Sequence, residues 1–272
     1  MADRSVLCRP AVAADAPGIV ALIRTSFNPE IIDATVYGCT GMPAFVQDQL
    51  QEHPHRARRR YYVAYREDSL AGAAEIIRDA DSLFLNYIAV AASFRRSGVG
   101  RELLGEALRG TRQEEAAWLR LDVFTDNIAA LEWYERLGLA VTSSSIWWRL
   151  PIPALSLHPA AHIEGLEAAD AQHQRYGFSE FRVATGLATW NIGRLGHRWF
   201  RLAESGSFRD RDLLFCLRKL DQRRELLLIL PESETLDAAA SPARKLATST
   251  RMTGGLDQVL RHLETECGRD RE

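Results

Sequence analysis

Leu83-Phe84-Leu85-Asn86-Tyr87-Ile88-Ala89-Val90 runs through Ala91-Ala92-Ser93-Phe94 into Arg95-Arg96-Ser97-Gly98-Val99-Gly100, and this stretch decides the fold. Its first part reads as a strand. Its last part opens a helical pattern in which Leu103, Leu104, Ala107 and Leu108 form one apolar face. Between them, Gly98 and Gly100 carry no Cβ, so backbone amides can approach an anion closely. The helix beginning near Gly100 adds unpaired N–H groups and the positive end of its dipole. Arg95, Arg96 and Arg101 surround the turn with positive charge. Together these residues read as a cradle for a pyrophosphate. Taken alone, they suit a surface turn capping a helix equally well. The segment lacks the G-x-G-x-x-G spacing of a dinucleotide loop, and Arg101-Glu102 stands where a phosphate loop needs Lys-Ser/Thr.

A second segment follows. Leu121-Asp122-Val123-Phe124-Thr125-Asp126-Asn127 ends a strand, and Ile128 to Leu137 reads as a helix closed by Gly138. With both segments in view, residues from about Val6 to Leu150 resemble the GNAT family of N-acetyltransferases. Arg95, Gly98 and Gly100 match that family's R/Q-x-x-G-x-G/A pyrophosphate motif. Asn127, Ala130, Tyr134 and Gly138 match its N-x-x-A-x-x-x-Y-x-x-x-G motif, with Leu139 in place of the usual aromatic. The two motifs occur in the family's order and spacing.

The resemblance implies acetyl-CoA as cosubstrate, with no metal. Cofactor contacts fall to Arg95, Arg96, Ser97, Gly98, Val99, Gly100, Arg101 and Asn127, with backbone amides of Ile88, Ala89 and Val90 taking the acetyl carbonyl and pantetheine arm. It implies a mixed sheet that splays near its middle to admit the cofactor. It also implies transfer of acetyl to a primary amine by direct attack in a ternary complex. Tyr134 is the acid candidate, since a phenol is protonated at neutral pH; a core aromatic is its ordinary alternative. Asp122 is the base candidate, reaching an amine through a water, with Glu75 second. The ordinary reading of both is a salt-bridged or solvent-facing carboxylate. Where histone-type relatives place a glutamate base, this chain has Phe84 or its neighbours. Phe27, Ile31, Tyr37 and Met42 are expected to line the acceptor mouth, beside a mobile Cys39–Met42 turn.

Length and composition bound the rest. The chain has 272 residues, 46% hydrophobic and 26% charged, with a formal net charge of −2. This supports a globular core and no field favouring nucleic acid. The basic run His55-Arg56-Ala57-Arg58-Arg59-Arg60 reads as a solvated loop before a strand. Cys8, Cys39, Cys216 and Cys267 show no metal spacing and suit a reducing compartment. With no apolar targeting or membrane-spanning run, a cytoplasmic protein is expected.

The expected fold class is α/β (mixed α+β): a GNAT-like central mixed sheet flanked by helices over 1–150, and a smaller α/β domain over 151–272 after Pro151-Ile152-Pro153. The second domain reads as a degenerate GNAT-like unit without a glycine cradle, because acidic Pro231-Glu232-Ser233-Glu234 follows its strand Glu225–Leu230. The expected partner is a small-molecule or peptide amine, with neither nucleic acid nor membrane. The C-terminal domain is expected either to complete the acceptor pocket or to form a homodimer contact. Two alternatives stand beside the enzyme: an acyl-CoA-binding sensor without turnover, and an acyltransferase using a longer acyl-CoA.

Overall fold

The computed structural model describes residues 6–51, 57–112, 115–155, 161–234, 236 and 243–269. His55 and Arg56 of the basic run lie outside the described residues. In chain order the first elements are β1 (Leu7–Pro10), α1 (Ala16–Ser26), α2 (Pro29–Asp33), α3 (Met42–Gln51), β2 (Arg59–Arg66), β3 (Ser69–Arg78), β4 (Ser82–Val90), α4 (Val99–Thr111), β5 (Trp118–Phe124), α5 (Ile128–Arg136) and β6 (Ala140–Pro151). The rest are β7 (His162–Glu164), α6 (Leu166–Tyr176), β8 (Phe178–Ala184), β9 (Thr189–Leu195), β10 (Trp199–Leu202), α7 (Arg211–Leu220), β11 (Glu225–Pro231), β12 (Arg244–Gly255) and α8 (Leu256–Arg269). The chain is therefore mixed α/β, as its pattern predicts.

The expected boundary near residue 150 is not how the chain divides. One unit comprises residues 1–28, 43–143 and 250–272; the other comprises 29–42 and 144–249. The cause lies in the core. Met252 of β12 and Leu256, Val259, Leu260 and Leu263 of α8 share an apolar cluster with Leu103, Leu104, Leu119 and Leu121. Burial of this helical face holds the C-terminal segment in the first unit.

In the first unit the strand order is β1-β2-β3-β4-β5-β12-β6. β1 to β4 pair antiparallel, while β4 and β5 are parallel. A parallel pair needs a crossover, and α4 supplies it. This helix buries Val99, Leu103, Leu104, Ala107 and Leu108, spaced for one face.

In the second unit β7, β8, β9 and β10 again pair antiparallel, and β10 and β11 are parallel with α7 as the crossover. β6 pairs β11 on its other side. The same sequence of strands, short 3-10 turn, crossover helix and parallel strand thus occurs twice in the chain. The second core gathers Phe181, Phe200, Leu213, Leu217, Leu226 and Leu228. Phe181 meets the Phe200 ring edge-on at 6.2 Å. Asp210 caps α7 by accepting from the amides of Asp212 and Leu213 at 3.0 and 3.1 Å. Among the described residues no helix is long and apolar enough to cross a membrane.

Candidate active site in the first unit

Two irregularities in β4 build the site. Its register with β3 shifts between Glu75↔Tyr87 and Ile76↔Leu85, so Asn86 is the extra residue of a bulge. Its pairing with β5 runs from Ser82↔Trp118 to Leu85↔Leu121, while β4 itself continues to Val90. The strands therefore fork after Leu85 and Leu121. The β5-facing backbone of Asn86 to Val90, including Ile88, Ala89 and Val90, flanks that opening. This is the splay that the resemblance implies.

The basic turn follows the same strand. Arg95 Nε donates to the Val90 carbonyl at 3.2 Å, and Ser97 Oγ donates to the Phe94 carbonyl at 2.7 Å. Arg96 and Gly98 both have positive φ, 59° and 84°. For Arg96 this is strained backbone, of the kind held only where the surroundings demand it. Gly98 occupies the N-cap of α4, and a Cβ there would come within 3.3 Å of Arg101 Nη2. A Cβ on Gly100 would stand 3.4 Å from Val90. The turn thus presents the first amides of a 13-residue helix among Arg95, Arg96 and Arg101. That chemistry fits a pyrophosphate.

Asn127 sits at the N-cap of α5, where its Oδ1 accepts from the Ala130 amide at 3.3 Å. Capping is thus one function of this residue. Tyr134 is only 6% exposed and joins the cluster that contains Val99, Leu121 and Val123, with Ile88 and Val90 packed against it. The Tyr134 ring thus belongs to the core to which β4, β5 and α4 also contribute. Burial pushes its pKa well above the ordinary phenol range, so it keeps its proton. Gly138, at φ 89°, ends the helix; a Cβ there would come within 2.6 Å of Gln258 Nε2 of α8.

The carboxylates are differently placed. Asp122 accepts from Arg251 Nε and Nη2 at 2.8 and 2.7 Å, a bidentate ion pair. The ordinary salt-bridge reading therefore describes its geometry, and the partner comes from β12, which no local pattern links to β5. Glu75 is fully buried and paired with Arg59. Next to it Tyr61, 3% exposed, shares the face of β2 and β3 turned from α4.

The expected acceptor mouth is rearranged. Phe27 lies in the first unit, edge-on to Tyr87 at 5.7 Å. Ile31, Tyr37 and Met42 belong to the second unit, where they are buried at 8%, 0% and 0% exposure. The Cys39–Met42 turn is likewise anchored by its buried ends, Cys39 and Met42. Their apolar pattern announces burial without announcing which core receives it.

The second unit has its own counterpart of the basic turn, after β10 rather than after β11, where the acidic Pro231–Glu234 run led sequence reasoning to look. Gly206 has φ 80° and precedes the Ser207–Arg209 turn and α7. Here the anion is supplied by the chain itself. Glu234 accepts from the Gly206 amide at 3.0 Å, Ser205 Oγ at 2.6 Å and Arg209 Nη1 at 3.1 Å. Among the described residues no group of three or more His, Cys, Asp or Glu side chains could hold a metal ion.

Comparison with known proteins agrees with this fold. Residues 31–139 match the model of the acetyltransferase (GNAT) family. A search of curated proteins finds no match. Among solved structures, a tandem GNAT protein from the clavulanic acid biosynthesis pathway aligns with a TM-score of 0.63 at 13% identity, covering 93% of this chain and 99% of its own. A GCN5-related N-acetyltransferase from Sphaerobacter thermophilus aligns with a TM-score of 0.62 at 15% identity, covering 94% and 97%. The chain therefore has the fold of tandem GNAT proteins, and the match of residues 31–139 to the GNAT acetyltransferase model makes it similar to that family over this stretch.

Proposed function

We propose that the chain is an acetyl-CoA-dependent N-acetyltransferase whose first unit carries the reaction. The observation that carries this reading is the fork after Leu85 and Leu121, opened by the Asn86 bulge and followed directly by the basic Gly98 turn. Acetyl-CoA supplies an activated thioester. The turn from Arg95 to Arg101 holds its pyrophosphate through helix amides and guanidinium groups. The backbone of Ile88, Ala89 and Val90 holds the pantetheine arm and the acetyl carbonyl, and the amides there stabilise the oxyanion as it forms. Asn127 adds a side-chain amide.

The amine nitrogen attacks the thioester carbonyl carbon, the C–S bond breaks, and the amine loses one proton. Tyr134 donates a hydrogen bond to the sulfur as negative charge develops. A buried donor is effective because water does not compete for it. Asp122 is engaged on both oxygens by Arg251, so its geometry favours attracting the acceptor's ammonium over direct proton abstraction. The bound ammonium first gives one proton to water, which frees the nitrogen lone pair for attack, and the second proton leaves through water as the amide forms.

The test is thiol release from acetyl-CoA with a panel of primary amines. Turnover that depends on both substrates supports the reading. Tight acetyl-CoA binding with no turnover of any amine would assign the chain to acyl-CoA sensing instead, and faster reaction with longer acyl-CoA donors would change the donor.

A further inference from the structure

An open groove of about 520 Å³ crosses one face of the first unit, lined by Trp118 and Arg120 of β5, Thr142 of β6, and Arg251 and Thr253 of β12. Strand alternation explains its chemistry. Leu119, Leu121 and Val123 of β5 turn into the core beneath α4 and α8, so Trp118, Arg120 and Asp122 occupy the opposite face. Trp118 remains 45% exposed.

The groove leads to the fork. Arg251 lies with its guanidinium carbon 5.4 Å from the Phe84 ring centre and holds Asp122. Phe84 is in register with Arg120, one position before the last β4–β5 pair. An acceptor lying in the groove therefore has its inner end beside Asp122, where the strands part.

Charge is distributed along it. Arg120 donates to both oxygens of Asp81 at 3.4 and 3.2 Å and to Ser82 Oγ at 3.1 Å. None of the lining residues is acidic, and a guanidinium carries five N–H donors, so each arginine has donors beyond those used on its aspartate. The groove thus presents two guanidinium groups along its length and an exposed indole, and the Asp122 carboxylate lies just beyond its lining, held by Arg251.

We propose that this groove binds the acceptor, and that the acceptor is a small amine bearing a carboxylate, as a free amino acid does. The ammonium end lies toward Asp122 and the fork. The carboxylate is held by Arg120 and Arg251, and the apolar part of the molecule lies on Trp118. A polyamine or unmodified alkylamine offers no acceptor to the guanidinium N–H groups not used on Asp81 and Asp122, and in the polyamine case brings a second cation beside them. This inference rests on the acetyl-transfer reading above.

Matched acceptors test it: phenylalanine against phenethylamine, and lysine against cadaverine, with thiol release as readout. The carboxylated member is expected to have a kcat/KM about tenfold or more above its partner, and Arg120→Gln to bring that ratio toward one. Equal or better use of the decarboxylated amines, or a ratio unchanged in Arg120→Gln, overturns the proposal. If neither kind of amine is turned over although acetyl-CoA binds, it is acetyl transfer that fails, and binding then decides the groove. N-acetylphenylalanine binding the CoA complex more tightly than N-phenethylacetamide, with the preference lost in Arg120→Gln, supports it. Equal or absent binding of the two contradicts it.

Discussion

Arg251 and Asp122 stand 129 residues apart in sequence and form a two-bond ion pair at 2.8 and 2.7 Å. The strand that carries Arg251 follows the whole second unit in sequence, yet it joins the sheet in which the proposed acyl site lies. The pair is about half exposed, 47% and 40% on its two side chains. Arg251→Ala is accordingly expected to cost less than about 1 kcal/mol of stability. If instead the variant loses several kcal/mol in denaturant unfolding, the pair holds the sheet together rather than tuning the acceptor side.

Removing the C-terminal segment is a different matter. Met252, Leu256 and Val259 are at most 1% exposed in the first core. Leu256→Ala should cost about 2–5 kcal/mol. A chain ending near Leu150, without β12 and α8, is expected to lose acetyl-CoA binding along with its cooperative unfolding. A soluble, fully active fragment of that length would overturn the division described here.

Tyr134→Phe removes one hydroxyl from a packed ring. It should lower kcat about 100-fold while leaving the acetyl-CoA dissociation constant nearly unchanged. Single-turnover kinetics beside calorimetry separate the two; an unchanged kcat would remove the donor role.

Glu234 supplies the anion at the second unit's loop, and Glu234→Ala leaves the Gly206 amide, the Ser205 hydroxyl and the Arg209 guanidinium without that acceptor. A loss of about 1–3 kcal/mol is expected, partly restored by added formate or acetate. Unfolding curves indifferent to both the substitution and the added anion would contradict the assignment.

The His173 imidazole is pushed down to about 4, first by burial and then by the nearby Arg194 and Arg224 guanidinium groups. Its neutral form is therefore the one the fold favours. The unfolded chain takes up the proton first, near the ordinary value of 6.5. The resulting stability is fully present above about pH 6.5 and is lost as pH falls through the folded value near 4. A melting temperature that declines over this window in the parent chain, and declines less in His173→Gln, is the expected result.

Much of the local structure is legible in the sequence. The run Leu83–Val90 and the turn Arg95–Gly100 announce strand, glycine turn and helix because each depends on neighbours within a few residues. The chain after Pro153 is less legible, though its buried strand Glu225–Leu230 stands out as an apolar run. Pairing is not legible. Nothing near Asp122 indicates that Arg251 lies beside it, and Tyr37 and Met42 are apolar in either core they could enter. The second unit's loop escapes for a related reason: Gly206 stands after a strand of four residues, and its anion comes from Glu234, 28 positions later.

The most direct test is calorimetric titration of the intact chain with acetyl-CoA, beside Gly98→Val. One acetyl-CoA per chain is predicted, since the first unit has an open cradle and the second is closed by Glu234. The valine should abolish binding, because it cannot readily adopt a φ of 84° and would crowd the helix amides. No binding to the parent chain, undiminished binding to Gly98→Val, or two equivalents bound per chain would each contradict it.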